Sequence, residues 1–196
     1  MENKYRDYKK NKKKDYKTKE KEKVSSVDLQ EKRIIYLDGD IDDELAKKII
    51  ESLLKMDACN HQDITMYINS PGGSVASGFA IYDIMNMIKS DVKTICIGRA
   101  ASMACILLLN GATGKRFILP NAEIMIHEVS GGAFGKVSEV EQHLDHSKSL
   151  NIKLRKIIVD TTKLSWKQVK EGTTNKDKWF TAEEAVKYGF VDKVLY

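Results

Sequence analysis

Apolar residues recur every three or four positions through Ile41, Leu45, Ile49, Leu53 and Met56, with Ile50 and Leu54 widening the stripe. That period describes one helix face, and Asp42 or Asp43 offers the side-chain oxygen that starts such a helix. Before it, residues 33–37 read as a strand; after it, residues 64–68 form a second, ending at the turn Ser70-Pro71-Gly72-Gly73. Residues 74–89 predict a helix, with Phe79, Ile84, Met85 and Ile88 available for the core. Residues 92–97 make an apolar strand, and Met103–Leu109 a short buried helix. Residues 116–119 and 123–127 read as strands around a turn at Pro120-Asn121. A glycine-rich stretch, 131–135, leads into a long helix over about 137–160. Thr181 and Glu184 form a capping box, Gly189 ends that helix, and residues 191–195 make a last strand. Strand and helix alternate across short connections, which predicts an α/β fold.

The 196 residues support one domain with a sizeable core. Charge divides them unevenly. Residues 1–23 hold eleven Lys/Arg against five Asp/Glu, a balance of +6, so the chain's net +5 leaves −1 for the remainder. The basicity belongs to an arm without apolar periodicity, expected to be disordered over residues 1–30, and the folded body is expected over 31–196. Such an arm, with Tyr5, Tyr8 and Tyr16, is an ordinary solvated segment or a contact for a partner; no nucleic-acid partner is expected.

The longest apolar run, around 103–109, is far too short to cross a bilayer. The charged start has no apolar stretch of the signal-peptide kind, so no membrane insertion and a cytoplasmic location are expected. Cys59, Cys96 and Cys105 lack metal-ligand spacing and read as reduced thiols, two of them in apolar runs; no metal site is expected. The chain contains neither GxGxxG nor GxxxxGK[ST], so nucleotide binding has little support and no cofactor is expected.

Three segments carry candidate chemistry. Ser102 stands where a strand meets a helix in Gly98-Arg99-Ala100-Ala101-Ser102-Met103-Ala104. There the Met103 N–H is an unpaired donor of a helix start, suited to a developing oxyanion, although a serine at such a place is also an ordinary N-cap. Gly72 and Gly73 let backbone amides approach a ligand with no Cβ in the way, Gly73 N–H being the second donor; a plain turn is the bland alternative. His127 ends an apolar strand twenty-five residues after Ser102, as a base for that hydroxyl or as a core histidine. An acid must orient the imidazole, and spacing does not choose among Asp145, Asp160, Asp177 and Asp192.

The segments also carry a resemblance. Tyr67-Ile68-Asn69-Ser70-Pro71-Gly72-Gly73, Ala100-Ala101-Ser102-Met103-Ala104, Gly114-Lys115-Arg116-Phe117, Leu119-Pro120-Asn121 and Met125-Ile126-His127 resemble, in order, the proteolytic subunit of the ATP-dependent Clp protease. Lys176-Asp177-Lys178-Trp179-Phe180-Thr181 is similar to the segment carrying that family's aspartate. The resemblance covers residues 33 to 195 and implies a triad of Ser102, His127 and Asp177. It implies an α/β, crotonase-like fold of repeated ββα units, the long helix being a protruding handle. It further implies a serine endopeptidase in heptameric rings, stacked in pairs around a chamber and fed unfolded protein or peptide by an AAA+ Clp ATPase unfoldase. Substrate would lie as a strand beside the handle segment, against Gly72, Gly131 and Gly132.

The chain departs from the family pattern in four places. Ala104 stands where glycine is usual, and Asn175-Lys176 where an acid and an arginine help couple the rings. The lysine-rich arm replaces the apolar N-terminal hairpin, and one extra residue lies between the long helix and Asp177. A catalytically silent ring subunit or assembly scaffold is the rival expectation. An acyl-CoA enzyme of crotonase type is a third, and it would need no Ser/His pair.

Overall fold

The computed structural model describes residues 29–196; the lysine-rich arm, up to residue 28, lies outside the described residues. The strands are β1 (Ile34–Ile41), β2 (Ile64–Gly73), β3 (Val92–Ala101), β4 (Arg116–Ile118), β5 (Glu123–Ile126), β6 (Lys178–Phe180) and β7 (Lys193–Val194). The helices are α1 (Asp43–Cys59), α2 (Val75–Met87), α3 (Met103–Leu109), α4 (Val137–Thr161), α5 (Trp166–Thr173) and α6 (Ala182–Tyr188). The strands form one sheet in the order β1-β2-β3-β4-β7, with β5 also on β3 and β6 on β5. Every pairing is parallel except β5 with β6. The architecture is α/β and crotonase-like.

The α1 stripe behaves as its period requires. Ala46, Ile49, Leu53 and Met56 are buried, while Leu54 at the stripe's edge stays exposed. Asp42 caps the helix, its Oδ1 accepting the Leu45 N–H at 2.7 Å. The guanidinium of Arg33 closes the other end by donating to the carbonyls of Met56 (2.7 Å) and Gln62 (2.6 Å).

Helix α3 is buried at all seven positions. It packs on β2, β3 and β5 and against α2 and α4, which explains a sequence apolar on every side. Helix α4 is the opposite case. Of its 25 residues only Ile158 is fully buried, and Leu150, Leu154, Ile157 and Val159 near its end pack on the core. At 1.5 Å per residue it is about 37 Å long, and its first half, up to about residue 149, is largely exposed. Among the described residues no helix is long and apolar enough to cross a membrane.

Four differences from the sequence reading bear on the site. β2 and β3 run on through Gly73 and Ala101, further than their apolar cores suggest. β7 holds only two residues. Helix α5 and strand β6 were not expected. A capping box in which Ser165 and Gln168 bond each other's backbone marks the start of α5, but the helix buries one large apolar side chain, Val169. β6 is three residues long, too short for alternation to register.

Candidate active site

Parallel pairing brings the carboxyl ends of β2, β3 and β5 to one edge of the sheet, the usual place for ligands in such folds. Ala101 is paired with Met125, so the residues just beyond β3 and β5 are neighbours. The Ser102 N–H donates to the Met125 carbonyl at 2.9 Å, and His127 follows two residues later. On the other edge of β5, antiparallel pairing sets Ile126 against Lys178. The next rung places His127 opposite Asp177. Sheet register thus assembles three residues that are far apart in the chain.

Their geometry is specific. His127 Nε2 lies 2.8 Å from Ser102 Oγ. His127 Nδ1 lies 3.3 Å from Asp177 Oδ1, a contact looser than the bond on the serine side. With Nδ1 protonated and facing the carboxylate, Nε2 is left as an acceptor for the serine hydroxyl. The His127 side chain is 24% exposed and that of Asp177 is 55% exposed, so the acid sits at the rim.

The other acids are engaged elsewhere: Asp192 with Arg116 at 2.7 Å, Asp160 with Lys156 at 3.0 Å, and Asp145 with Lys148 at 2.9 Å. The choice that spacing left open therefore falls on Asp177 as the acid beside the imidazole. His127 is not a core histidine satisfied by backbone.

Ser102 occupies the N-cap position of α3 but makes no capping bond. Its backbone has a positive φ, at φ 54° and ψ −123°, a conformation that costs a non-glycine residue about 1–3 kcal/mol. The strain turns the hydroxyl from its own helix toward His127. Gly72 keeps the facing space clear. With φ of 99°, a Cβ there would lie 2.7 Å from the Ala101 carbonyl oxygen, 2.7 Å from the Ser102 Cβ and 3.0 Å from the Met103 nitrogen. Gly73, at φ 147°, packs its α-carbon against the Ile41 backbone so closely that a Cβ would overlap it.

The Ser74 N–H donates to the Ile41 carbonyl at 2.8 Å. In a parallel ladder alternate residues face opposite neighbours, which turns the Gly73 amide away from β1. The turn itself is fixed by the buried Ser70, whose hydroxyl donates to the Gly39 carbonyl (2.6 Å) and accepts the Gly72 N–H (3.1 Å).

A pocket opens beside the serine. Its lining includes Gly73, Ser102, Met103 and His127 on one side and Leu154 and Ile158 of α4 on the other. The two aliphatic residues of α4 were not singled out in the sequence, although their spacing of four marks a helix face. Val129 and Ser130 also reach the pocket, whereas Gly131 and Gly132 lie next in the chain, with open space around them.

An α/β body with serine, histidine and aspartate meeting at strand ends has the make-up of a crotonase-like serine hydrolase. The sequence model of the Clp protease family matches residues 17–196, and the chain belongs to that family. The match begins well before the first described residue. Membership supports a serine peptidase acting on peptide substrates.

Proposed function

We propose that the chain is a serine endopeptidase with Ser102 as nucleophile, His127 as general base and Asp177 as the residue that holds the imidazole. The observation that carries this is the 2.8 Å contact between His127 Nε2 and Ser102 Oγ, made by a serine in a strained backbone conformation. His127 takes the hydroxyl proton as Oγ bonds to the scissile carbonyl carbon. The resulting oxyanion sits before the Gly73 and Met103 N–H groups, donors worth on the order of 3 kcal/mol each in acyl transfer. The imidazolium then passes its proton to the departing amine, leaving an ester on Ser102. Water, deprotonated by the same imidazole, attacks that ester and frees the serine. The pocket beside Leu154 and Ile158 suits an apolar side chain next to the cleaved bond. Gly72, Gly131 and Gly132 would run beside the extended substrate.

The assembly is part of the same proposal: heptameric rings, stacked in pairs through the handle, in the cytoplasm, with an AAA+ ATPase delivering unfolded chains. Exposed apolar side chains on α4 support it, since Val137 (76% exposed), Leu144 (54%) and Ile152 (57%) have no cover in the single subunit. Residues 1–30 would form an arm outside the peptidase domain, beginning at 31.

Labelling with a fluorophosphonate tests the chemistry. The intact protein should be labelled and Ser102→Ala should not; equal labelling of the two refutes the nucleophile. If the assembled protein is neither labelled nor able to cleave fluorogenic peptides, it is a silent ring subunit.

A further inference from the structure

The loop that carries Asp177 is tied to the segment that carries His127 by a second carboxylate. Glu128 Oε1 accepts the backbone N–H of Asn175 at 3.0 Å, two residues before Asp177. Asn175 is held at φ 57°, a left-handed conformation that a free loop would readily leave. The other oxygen, Oε2, faces Arg155 Nη2 of α4 at 3.7 Å; the arginine side chain is 13% exposed and the glutamate 34%. Arg155 reaches further. Its Nε donates to the Thr173 hydroxyl at 3.1 Å and its Nη2 to the Thr174 hydroxyl at 3.3 Å, at the end of α5. Thr173 is buried and donates in turn to the Val169 carbonyl at 2.9 Å. One guanidinium therefore joins the handle helix, the end of α5 and Glu128. The carboxylate passes that anchorage to the backbone of the Asp177 loop.

We infer that Glu128 and Arg155 are positioning residues for the acid: they fix where Asp177 stands relative to His127, without touching substrate. The inference rests on the peptidase reading above. Three facts argue for positioning over mere stability. The network bonds the backbone on the approach to Asp177; it starts from the residue after His127; and the contact it would regulate, at 3.3 Å, is the loosest in the site. A carboxylate more than half exposed has little packing of its own to hold it, so the loop backbone must set its place.

The test uses the full-length protein in its native assembly, with Glu128→Ala, Glu128→Gln, Arg155→Ala and the double variant Glu128→Ala/Arg155→Ala. The readouts are the fluorophosphonate labelling rate and kcat and KM on a fluorogenic peptide, with assembly state checked in parallel. Glu128→Ala should lower kcat and the labelling rate by about ten- to a hundredfold, the scale of a misplacement near one ångström, with KM within about twofold. Glu128→Gln should recover much of the rate, because its amide oxygen still accepts the Asn175 N–H. The double variant should be no slower than Glu128→Ala alone, as expected of residues acting in one chain of contacts. Wild-type rates in correctly assembled Glu128→Ala overturn the inference, as does a Glu128→Gln variant as slow as the alanine. If the wild type itself is not labelled, it is the peptidase reading that has failed.

Discussion

A Cβ on Gly72 would stand 2.7 Å from the Cβ of Ser102, so Ser102 keeps its present pose only because residue 72 has no side chain. Gly72→Ala should therefore abolish labelling of Ser102 by a fluorophosphonate, or slow it by about a hundredfold, the scale of displacing a reacting atom by about an ångström. The sheet should survive, since the strain is local to the turn. Circular dichroism beside the labelling rate checks both halves. Wild-type labelling would show that the turn is not the guard of this space.

Asp177→Asn should lower kcat steeply, toward the 10⁴-fold or so seen where an asparagine favours the wrong imidazole tautomer. Asp160→Asn, whose carboxylate pairs with Lys156 on the helix surface, should leave kcat at the wild-type value. Peptide turnover by the two variants separates the acid that faces His127 from one that shares only its residue type.

The three thiols should divide by place. Cys59 is exposed, whereas Cys96 and Cys105 are buried. Burial pushes the Cys96 thiol up to about 12 and the Cys105 thiol up as well, keeping both protonated and inert. A thiol-specific chromogenic reagent should count one group in the native protein and three after denaturation. Two or more in the native protein would contradict the packing of α3 on β3.

Asp57 should make stability depend on pH. Partial burial opposes its ionisation, but the Ser90 hydroxyl and N–H, His61 and the Lys89 N–H outweigh this and hold the carboxyl down at about 2. Its value is lower folded than unfolded, so the contribution is complete above the unfolded value of 3.8 and is lost as pH falls toward 2. Asp57→Asn should unfold at lower urea than the wild type near neutrality. The gap should close between about pH 4 and pH 2, read from urea midpoints across that range. A gap of constant size would assign the effect to packing alone.

The order of strands and helices was readable because the elements that bury most announce themselves. The α1 stripe and the apolar runs of β2 and β3 fix the sheet's middle, and the serine and glycine turns lie at their ends. Ser102, His127 and the glycines could be proposed from residue type and place. Asp177 could not be chosen by spacing, since it depends on β6, three residues whose pairing with β5 is a property of the folded sheet. Glu128 and Arg155 gave no signal either: single charged residues in a charged chain look like solvated surface until the loop they hold is seen. The resemblance supplied Asp177 where periodicity stopped, and the register Ile126 against Lys178 gives that choice its physical reason.

Strand β3 is bonded on both edges, to β2 on one and to β4 and then β5 on the other, while β6 clings to β5 alone at the margin. Amide hydrogens of β3 should exchange slowly and those of β6 fast. Ser102 and Asp177 thus differ in how firmly the sheet holds their neighbourhoods. Ser102 stands at the end of a strand bonded on both sides and Asp177 beside a strand bonded on one, so loosening the sheet's margin would reach the Asp177–His127 contact before it reached the serine.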